Sequence, residues 1–237
     1  MAISFDVRSL SGGVEETLDF EARQVILGGF AARSADQVQR HIEELREIGV
    51  VPPARIPAFW HVSRWLLTTG DVIEVQGDRT SGEVEYVLIA HEGTTYVAVG
   101  SDETDRHFEQ ASIPRSKQLC PKVVSRDLVR LDAVIEAWDD IVIASEVSPD
   151  GQAWQPYQRS SLAGLYDPDA LMRAVAGRPA LPDGTVLMSG TIPIVDGVTR
   201  YLPGFRATMS FPGSDLELSL SYRVDVLPEL TDAGTAA

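Results

Sequence analysis

The chain has 237 residues, 44% hydrophobic and 23% charged, which is enough for one well-filled core of ordinary globular composition. A formal net charge of −15 argues against a nucleic-acid partner, because phosphate binding requires clustered Lys and Arg. The single cysteine, Cys120, excludes an intrachain disulfide and a multi-cysteine metal site, and we expect it to be a packed residue. No apolar run approaches the roughly 18–20 residues that span a bilayer, and residues 1–6 lack a signal sequence, so we expect a cytoplasmic protein without a membrane partner.

The first third of the chain predicts a hairpin and a helix. Residues 3–7 and 17–20 alternate on either side of Gly12-Gly13, which is typical of a β-hairpin. Ser34 is a candidate N-cap, and apolar residues then recur at helical spacing until Gly49. After the prolines that follow, Phe59-Trp60 and residues 65–67 suggest a packed aromatic connection.

The remaining residues predict mostly strands. Short helices are predicted at 132–138 and 169–176, the second ending at Gly177. The predicted strands cover residues 72–75, 84–89, 96–99, 141–145, 185–189, 206–211 and 216–226. We therefore expect a β-rich α+β fold in a single domain over residues 1–237. Its parts are an N-terminal hairpin, helix and connection (1–70), a β core (71–230) and a frayed tail (231–237).

Three carboxylates in this core are candidate metal ligands. Glu83 and Glu85 lie two residues apart, so a strand directs both side chains to one face, and Asp102 follows the next strand. Like charges that close repel, and a hard cation such as Mg²⁺ or Mn²⁺ relieves the repulsion by taking carboxylate oxygens as ligands. Taken alone, Glu-x-Glu is more typical of a solvent-exposed strand face.

Four segments, in order over residues 70–195, resemble motifs of the fumarylacetoacetate hydrolase superfamily, and in particular a branch known mainly as a domain of unknown function. The chain has Gly82-Glu83-Val84-Glu85-Tyr86-Val87-Leu88 where the superfamily has Gly-Glu-x-Glu before apolar residues. The other three segments are Ser101-Asp102-Glu103-Thr104-Asp105-Arg106, Ser116-Lys117-Gln118-Leu119-Cys120-Pro121, and residues 182–191, which end in Ser189-Gly190-Thr191. Ser101, Cys120 and Ser189 depart from the superfamily pattern without removing a metal ligand.

The resemblance implies roles for further residues. It implies that Glu83, Glu85 and Asp102 bind Mg²⁺ or Mn²⁺, and that Lys117 steadies an enolate or carboxylate oxygen of the substrate. It also implies substrate binding by Arg106, Gly190 and Thr191, with bracing of the Asp102 loop as the alternative role of Arg106.

The catalytic base is a separate question, because the superfamily motif Gly-x-Asn-Tyr-x-x-His-x-x-Glu is not complete here. His41 and Glu44 lie three residues apart on the predicted helix, where the carboxylate can orient the imidazole for activation of water. An exposed histidine beside a surface acid is the alternative interpretation. His61, His91 and His107 are the other candidates.

The implied architecture is a mixed β-sheet roll with short peripheral helices, usually in a homodimer. The implied function is metal-dependent hydrolysis of a C–C bond in a 1,3-dicarbonyl or acylpyruvate-like oxo acid. Alternatives on the same scaffold are decarboxylation, hydration or tautomerisation of an oxo acid, or non-catalytic binding of a metabolite. A cupin-like enzyme fits poorly, because its site would be rich in histidine and the chain has four scattered histidines.

Overall fold

The computed structural model describes residues 2–34, 36, 38, 39, 42, 43 and 52–228, and β-strands dominate this part of the chain. The strands are β1 (Ala2–Arg8), β2 (Val14–Glu21), β3 (Gln24–Gly29), β4 (Ala58–Val62), β5 (Leu67–Thr68), β6 (Val72–Val75), β7 (Thr80–Ser81), β8 (Val84–His91), β9 (Thr94–Asp102), β10 (Thr104–Asp105), β11 (Lys122–Val124), β12 (Asp127–Arg130), β13 (Val142–Ser148), β14 (Gln155–Ser161), β15 (Thr185–Met188), β16 (Gly204–Ser210) and β17 (Glu217–Val226). The α-helices are α1 (Arg106–Glu109), α2 (Ile113–Gln118), α3 (Leu131–Val134) and α4 (Pro168–Ala176), and short 3₁₀ helices cover Arg64–Leu66, Ile135–Asp140 and Leu162–Gly164. None of the helices described is long and apolar enough to cross a lipid bilayer.

The strands form one large mixed sheet and two smaller ones. The main path of the ten-stranded sheet runs β2-β1-β12-β9-β8-β15-β3-β4, and β11 joins it by pairing with β9 and β5. Within it β1–β12, β15–β3 and β11–β5 are parallel, whereas β8–β9 is antiparallel. A five-stranded sheet runs β14-β13-β16-β17-β6, and β7 pairs with β10. This architecture confirms the predicted β-rich α+β fold with a curled mixed sheet and few short helices.

The two faces of β8 pack in two different cores. Tyr86 and Leu88 belong to an apolar cluster shared with side chains of the five-stranded sheet. Val87 and Ile89 belong to a second cluster on the opposite face, against β3 and β15. Because side chains alternate along a strand, Glu85 shares the face of Val87, so its carboxylate enters the side of the sheet turned away from the five-stranded sheet.

Most predicted elements are present. The N-terminal hairpin is β1 paired antiparallel with β2, and the predicted strands 84–89 and 96–99 are β8 and β9, which also pair antiparallel. The helix α4 ends at Gly177, whose φ of 70° is the left-handed C-cap that glycine adopts readily. Residues 36, 38, 39, 42 and 43 are helical, in agreement with the predicted first helix. His41, Glu44 and the tail 231–237 lie outside the described residues.

Some strands were missed for identifiable reasons. The segment Gln24–Gly29 is largely apolar without alternation, because β3 is an interior strand covered on both faces. The polar segment Gln155–Ser161 carries Pro156, which β14 tolerates as an edge strand of its sheet. The predicted aromatic connection at Phe59-Trp60 is instead part of β4, and the predicted helix 132–138 is α3 followed by the 3₁₀ helix Ile135–Asp140.

Candidate metal centre

The β8–β9 ladder brings the three predicted carboxylates together. In the antiparallel register Val84 faces Ser101, and the ladder continues one residue further because the Asp102 amide donates to the Glu83 carbonyl at 3.0 Å. Glu83 and Asp102 are therefore neighbours across the strands, and Glu85 is one side-chain position along the same face. Carboxylate oxygens of the three residues lie within 4.8 Å of one another.

Of the three carboxylates, Glu85 is the one whose negative charge is least balanced by neighbouring positive charges. Its side chain is buried, and its Oε2 accepts a hydrogen bond of 2.8 Å from the Gly190 amide. Burial raises the pKa of Glu85 well above its usual range, and the negative charges of Asp102 and Glu83 raise it further, against a smaller opposing effect of Lys117. Without a bound cation, Glu85 therefore keeps its proton to a higher pH than an exposed glutamate does.

Asp102 is fully buried between two ammonium groups. The Lys122 Nζ lies 2.8 Å from Oδ1, and the Lys117 Nζ contacts Oδ2. Burial alone would raise the pKa of Asp102, but the two lysines outweigh this effect and hold the pKa at about 2. Asp102 is consequently a carboxylate anion at neutral pH.

Glu83 is held by an arginine and a lysine. The Arg106 Nη2 lies 3.0 Å from Oε1, and the Lys117 Nζ lies 3.3 Å from Oε2. These two cations outweigh the effect of burial and lower the pKa of Glu83. Arg106 also donates from Nε to the Ser81 hydroxyl at 2.7 Å and from Nη1 to Glu109 at 3.0 Å, so its guanidinium is engaged with protein groups around Glu83.

The other two residues predicted to bind substrate also lie beside the carboxylates. Gly190, with a φ of 87°, follows β15 and presents its amide to Glu85. The Thr191 hydroxyl donates to the Val84 carbonyl at 2.9 Å, between the two glutamates. Both groups therefore fix the start of β8 in this structure.

The alternative histidines are not joined to the carboxylates. His61 and His107 are exposed, in β4 and α1, and His91 lies at the opposite end of β8, with its ring 6.0 Å from that of Phe20. In the part of the chain that the structure describes, none of the three forms a hydrogen bond or an ion pair with Glu83, Glu85 or Asp102.

Cys120 is 1% exposed, and burial raises the pKa of its thiol to about 12. A thiol with that pKa is protonated at neutral pH, so it is neither a nucleophile nor a metal-binding thiolate there. This agrees with the expectation that Cys120 is a packed residue.

Two buried polar residues that were not predicted from the sequence, Lys122 and Gln158, support the carboxylates. Lys122 faces Asp102 directly in the β11–β9 register, and its Nζ also donates to the Glu103 carbonyl at 2.6 Å. Gln158 in β14 donates to Thr191 and accepts from the Val84 amide. A lysine before two valines was a weak signal for a buried charge, whereas the polar segment around Gln158 offered none.

Gly82 leaves room for a buried hydrogen-bonded cluster behind the carboxylates. The Tyr222 hydroxyl donates to Glu103 at 2.6 Å and lies 2.8 Å from the Ser101 hydroxyl. A Cβ on Gly82 would lie 2.5 Å from the Tyr222 hydroxyl oxygen and 2.6 Å from the Ser101 oxygen, which real Cβ atoms do not tolerate.

We expect Gly82→Ala to lower the free energy of unfolding by about 1–3 kcal/mol, because the cluster must shift to admit the methyl group. Gly164→Ala is the matched control, since a Cβ there meets no atom within 4 Å. Urea denaturation of both variants measures the effect, and equal stabilities would show that the cluster yields without cost.

The donor set fits a hard divalent cation. All three groups offer carboxylate oxygen, which Mg²⁺, Mn²⁺ and Ca²⁺ prefer, and the cluster contains no sulfur or imidazole. A cation would also stabilise the ionised form of Glu85, whose charge is disfavoured by its buried position beside two other acids.

The fold is shared with solved enzymes of low sequence identity. A 2-keto-3-deoxyarabinonate dehydratase is 13% identical with a TM-score of 0.63, and the match covers 92% of this chain and 79% of that chain. The protein Cg1458, solved with an inhibitor, is 14% identical with a TM-score of 0.62, covering 90% of this chain and 82% of that chain. A 2-keto-3-deoxy-D-arabinonate dehydratase complexed with magnesium and 2,5-dioxopentanoate is 12% identical with a TM-score of 0.61, covering 92% and 79%.

These neighbours belong to the fumarylacetoacetate hydrolase superfamily, so the fold agrees with the one that the sequence resemblance implies. No curated protein sequence matches the chain. A family model described as "Protein of unknown function (DUF2848)" matches residues 28–222, which is most of the chain. The chain therefore belongs to the DUF2848 family and has the fold of the fumarylacetoacetate hydrolase superfamily.

Proposed function

We propose that this protein is a divalent-metal-dependent enzyme that acts on an oxo acid and breaks a C–C bond by hydrolysis. The observation that carries the proposal is the convergence of three carboxylates within 4.8 Å of one another, on two neighbouring strands, with a buried lysine beside them. Arg106, Lys117 and Lys122 compensate the charges of Glu83 and Asp102, whereas the charge of buried Glu85 beside these acids stays disfavoured, so a functional role accounts for Glu85 better than a structural one.

Glu83, Glu85 and Asp102 would hold Mg²⁺ or Mn²⁺. When bound, such an ion supplies Lewis-acid stabilisation of the negative charge that builds on a substrate oxygen. The protein contributes preorganisation: Arg106 holds one oxygen of Glu83, the Gly190 amide holds one of Glu85, and Lys122 holds one of Asp102. Each carboxylate is thus held by the protein through one oxygen, and Lys117 also contacts the second oxygen of Glu83 and of Asp102.

Lys117 is the cation that we assign to the substrate. Its Nζ contacts Asp102 and Glu83, and its burial among carboxylates raises its pKa despite the cost of desolvation, so it stays protonated. An ammonium at this position can donate a hydrogen bond to a carboxylate or developing enolate oxygen. His41 with Glu44 is the proposed pair that deprotonates water for the hydrolysis.

Dehydration of an oxo acid is the second candidate reaction. It is favoured by the fold neighbours, two of which are dehydratases, and by the magnesium and 2,5-dioxopentanoate in one of those structures. Elimination of water through an enolate needs no attack by hydroxide, so it does not depend on the His41–Glu44 pair.

We expect the protein, treated with EDTA and then supplied with Mn²⁺ or Mg²⁺, to release pyruvate or carboxylate from acylpyruvates. Turnover of acylpyruvates, 2-keto-3-deoxy sugar acids and oxo acids that can lose carbon dioxide should be measured by mass spectrometry, with the EDTA-treated protein as control. If loss of water from a 2-keto-3-deoxy acid is the sole reaction observed, the enzyme is a dehydratase and not a C–C hydrolase. Thermal stabilisation by oxo acids without turnover of any compound would contradict the enzyme and favour a metabolite-binding protein.

A further inference from the structure

Gln158 connects the five-stranded sheet to the start of β8. It lies in β14, its side chain is 1% exposed, and it uses its full hydrogen-bonding capacity. Its Oε1 accepts from the Val84 amide at 3.0 Å and from the Ser145 hydroxyl at 3.0 Å. Its Nε2 donates to the Thr191 hydroxyl at 2.8 Å and to the Ile192 carbonyl at 2.6 Å.

Two of the residues in this network, Gln158 and Thr191, form hydrogen bonds with the backbone of Val84, which lies between the two glutamates. The amide of Val84 is bound by Gln158, and its carbonyl accepts from the Thr191 hydroxyl at 2.9 Å. Because Thr191 also accepts from Gln158, the three residues form a closed ring of hydrogen bonds. Both peptide groups of Val84 are therefore fixed, and these are the groups that set the direction of the Glu83 and Glu85 side chains.

The side-chain amide of Gln158 also fixes the loop whose Gly190 amide binds Glu85. Gly190, which precedes Thr191, donates its amide to Glu85 Oε2 at 2.8 Å. Gln158 holds the next two residues of this loop, Thr191 and Ile192. Loss of the Gln158 amide would thus release the backbone between the glutamates and the donor that orients one of their carboxylates.

We propose that Gln158 is a positioning residue that sets the separation of the Glu83 and Glu85 carboxylates and thereby the affinity of the site for a divalent cation. This inference rests on the proposed function, because it assigns a role at the same site. Groups that orient metal ligands typically change metal affinity by about 10–100-fold when they are removed.

The test compares two glutamines of one strand. Gln158→Met keeps the length of the side chain and removes its hydrogen bonds, and we expect it to weaken Mn²⁺ binding about 10–100-fold, as measured by electron paramagnetic resonance of free Mn²⁺. The control is Gln155→Met, because Gln155 is exposed in the same strand, and its affinity should equal that of the wild type. In metal-free protein, amide hydrogen exchange at Val84 should accelerate in Gln158→Met only.

The outcomes separate the two proposals. A wild-type protein that binds no Mn²⁺ overturns the proposed function, and the role of Gln158 with it. A folded Gln158→Met protein with wild-type affinity overturns the role of Gln158 alone. If Gln158→Met does not fold, Thr191→Val breaks the same ring while leaving the glutamine in place. Wild-type affinity in that variant also overturns the inference, and a weakened affinity supports it.

Discussion

Glu85→Gln is expected to abolish divalent-cation binding while the protein stays folded. The variant removes the charged oxygen ligand, but its amide oxygen can still accept the hydrogen bond from Gly190 that Glu85 Oε2 accepts at 2.8 Å. We expect a loss in Mn²⁺ affinity of about 100-fold or more, beyond the range for residues that only orient a ligand. Titration calorimetry with Mn²⁺ measures it, and metal-dependent turnover should disappear with it.

The control for this variant is Glu109→Gln. Glu109 pairs with Arg106 at 3.0 Å, as Glu83 does, but it is not one of the three converging carboxylates. The variant tests whether removal of any acid beside the metal centre has the same effect, and we expect it to retain Mn²⁺ binding. Binding in Glu85→Gln with wild-type affinity would remove Glu85 from the metal site.

The pH dependence of the same variant has a definite sign. Because the folded-state pKa of Glu85 is raised above its unfolded value, the metal-free wild type loses stability as pH rises from about 4.3 through the raised pKa. Glu85→Gln lacks this loss, so metal-free Glu85→Gln should be more stable than the wild type at pH 8 and about equally stable below pH ~4. Mn²⁺ affinity of the wild type should rise with pH over the same window, because the metal competes with the proton on Glu85. Thermal denaturation across pH, with and without Mn²⁺, measures both trends.

The carboxylate cluster could be predicted from sequence because its geometry is local. Glu83 and Glu85 share a strand face by the two-residue period, and Asp102 reaches them through a hairpin whose turn at Glu92-Gly93 is visible in the sequence. The hairpin register then places Glu83 beside Asp102. No long-range contact is needed to bring the three acids together.

The supporting groups depend on contacts that no local pattern encodes. Lys122 meets Asp102 only because β11 pairs with β9, and Gln158 meets Val84 only because the five-stranded sheet packs against β8. Both residues are buried polar groups, which composition predicts to be rare, and their partners lie 20 and 74 positions away along the chain. Tertiary packing therefore decides how the carboxylates are held, although the sequence indicates which carboxylates converge.

Lys122→Met is expected to lower the free energy of unfolding by about 3 kcal/mol, because it breaks a fully buried ion pair from one side. The Lys122 Nζ is 2.8 Å from Asp102 Oδ1 and 2.6 Å from the Glu103 carbonyl, and both Lys122 and Asp102 are 0% exposed. Methionine preserves the volume of the side chain, so the loss reflects the ammonium group and not a cavity. Urea denaturation at pH 7 measures it.

A double-mutant cycle with Asp102→Asn assigns the loss to the pair. If the two charges stabilise each other, the double variant should lose less stability than the sum of the losses of Lys122→Met and Asp102→Asn, by about 1–3 kcal/mol. Additive losses would show that Lys122 acts elsewhere.

The pH dependence of stability provides a second check. The depressed pKa of Asp102, about 2, contributes stability above the unfolded pKa, and this stability is lost as pH falls from about 4 towards 2. Removal of Lys122 raises that pKa, so the stability difference between wild type and Lys122→Met should narrow on acidification. A constant difference would mean that the lysine stabilises the fold without acting on the charge of Asp102.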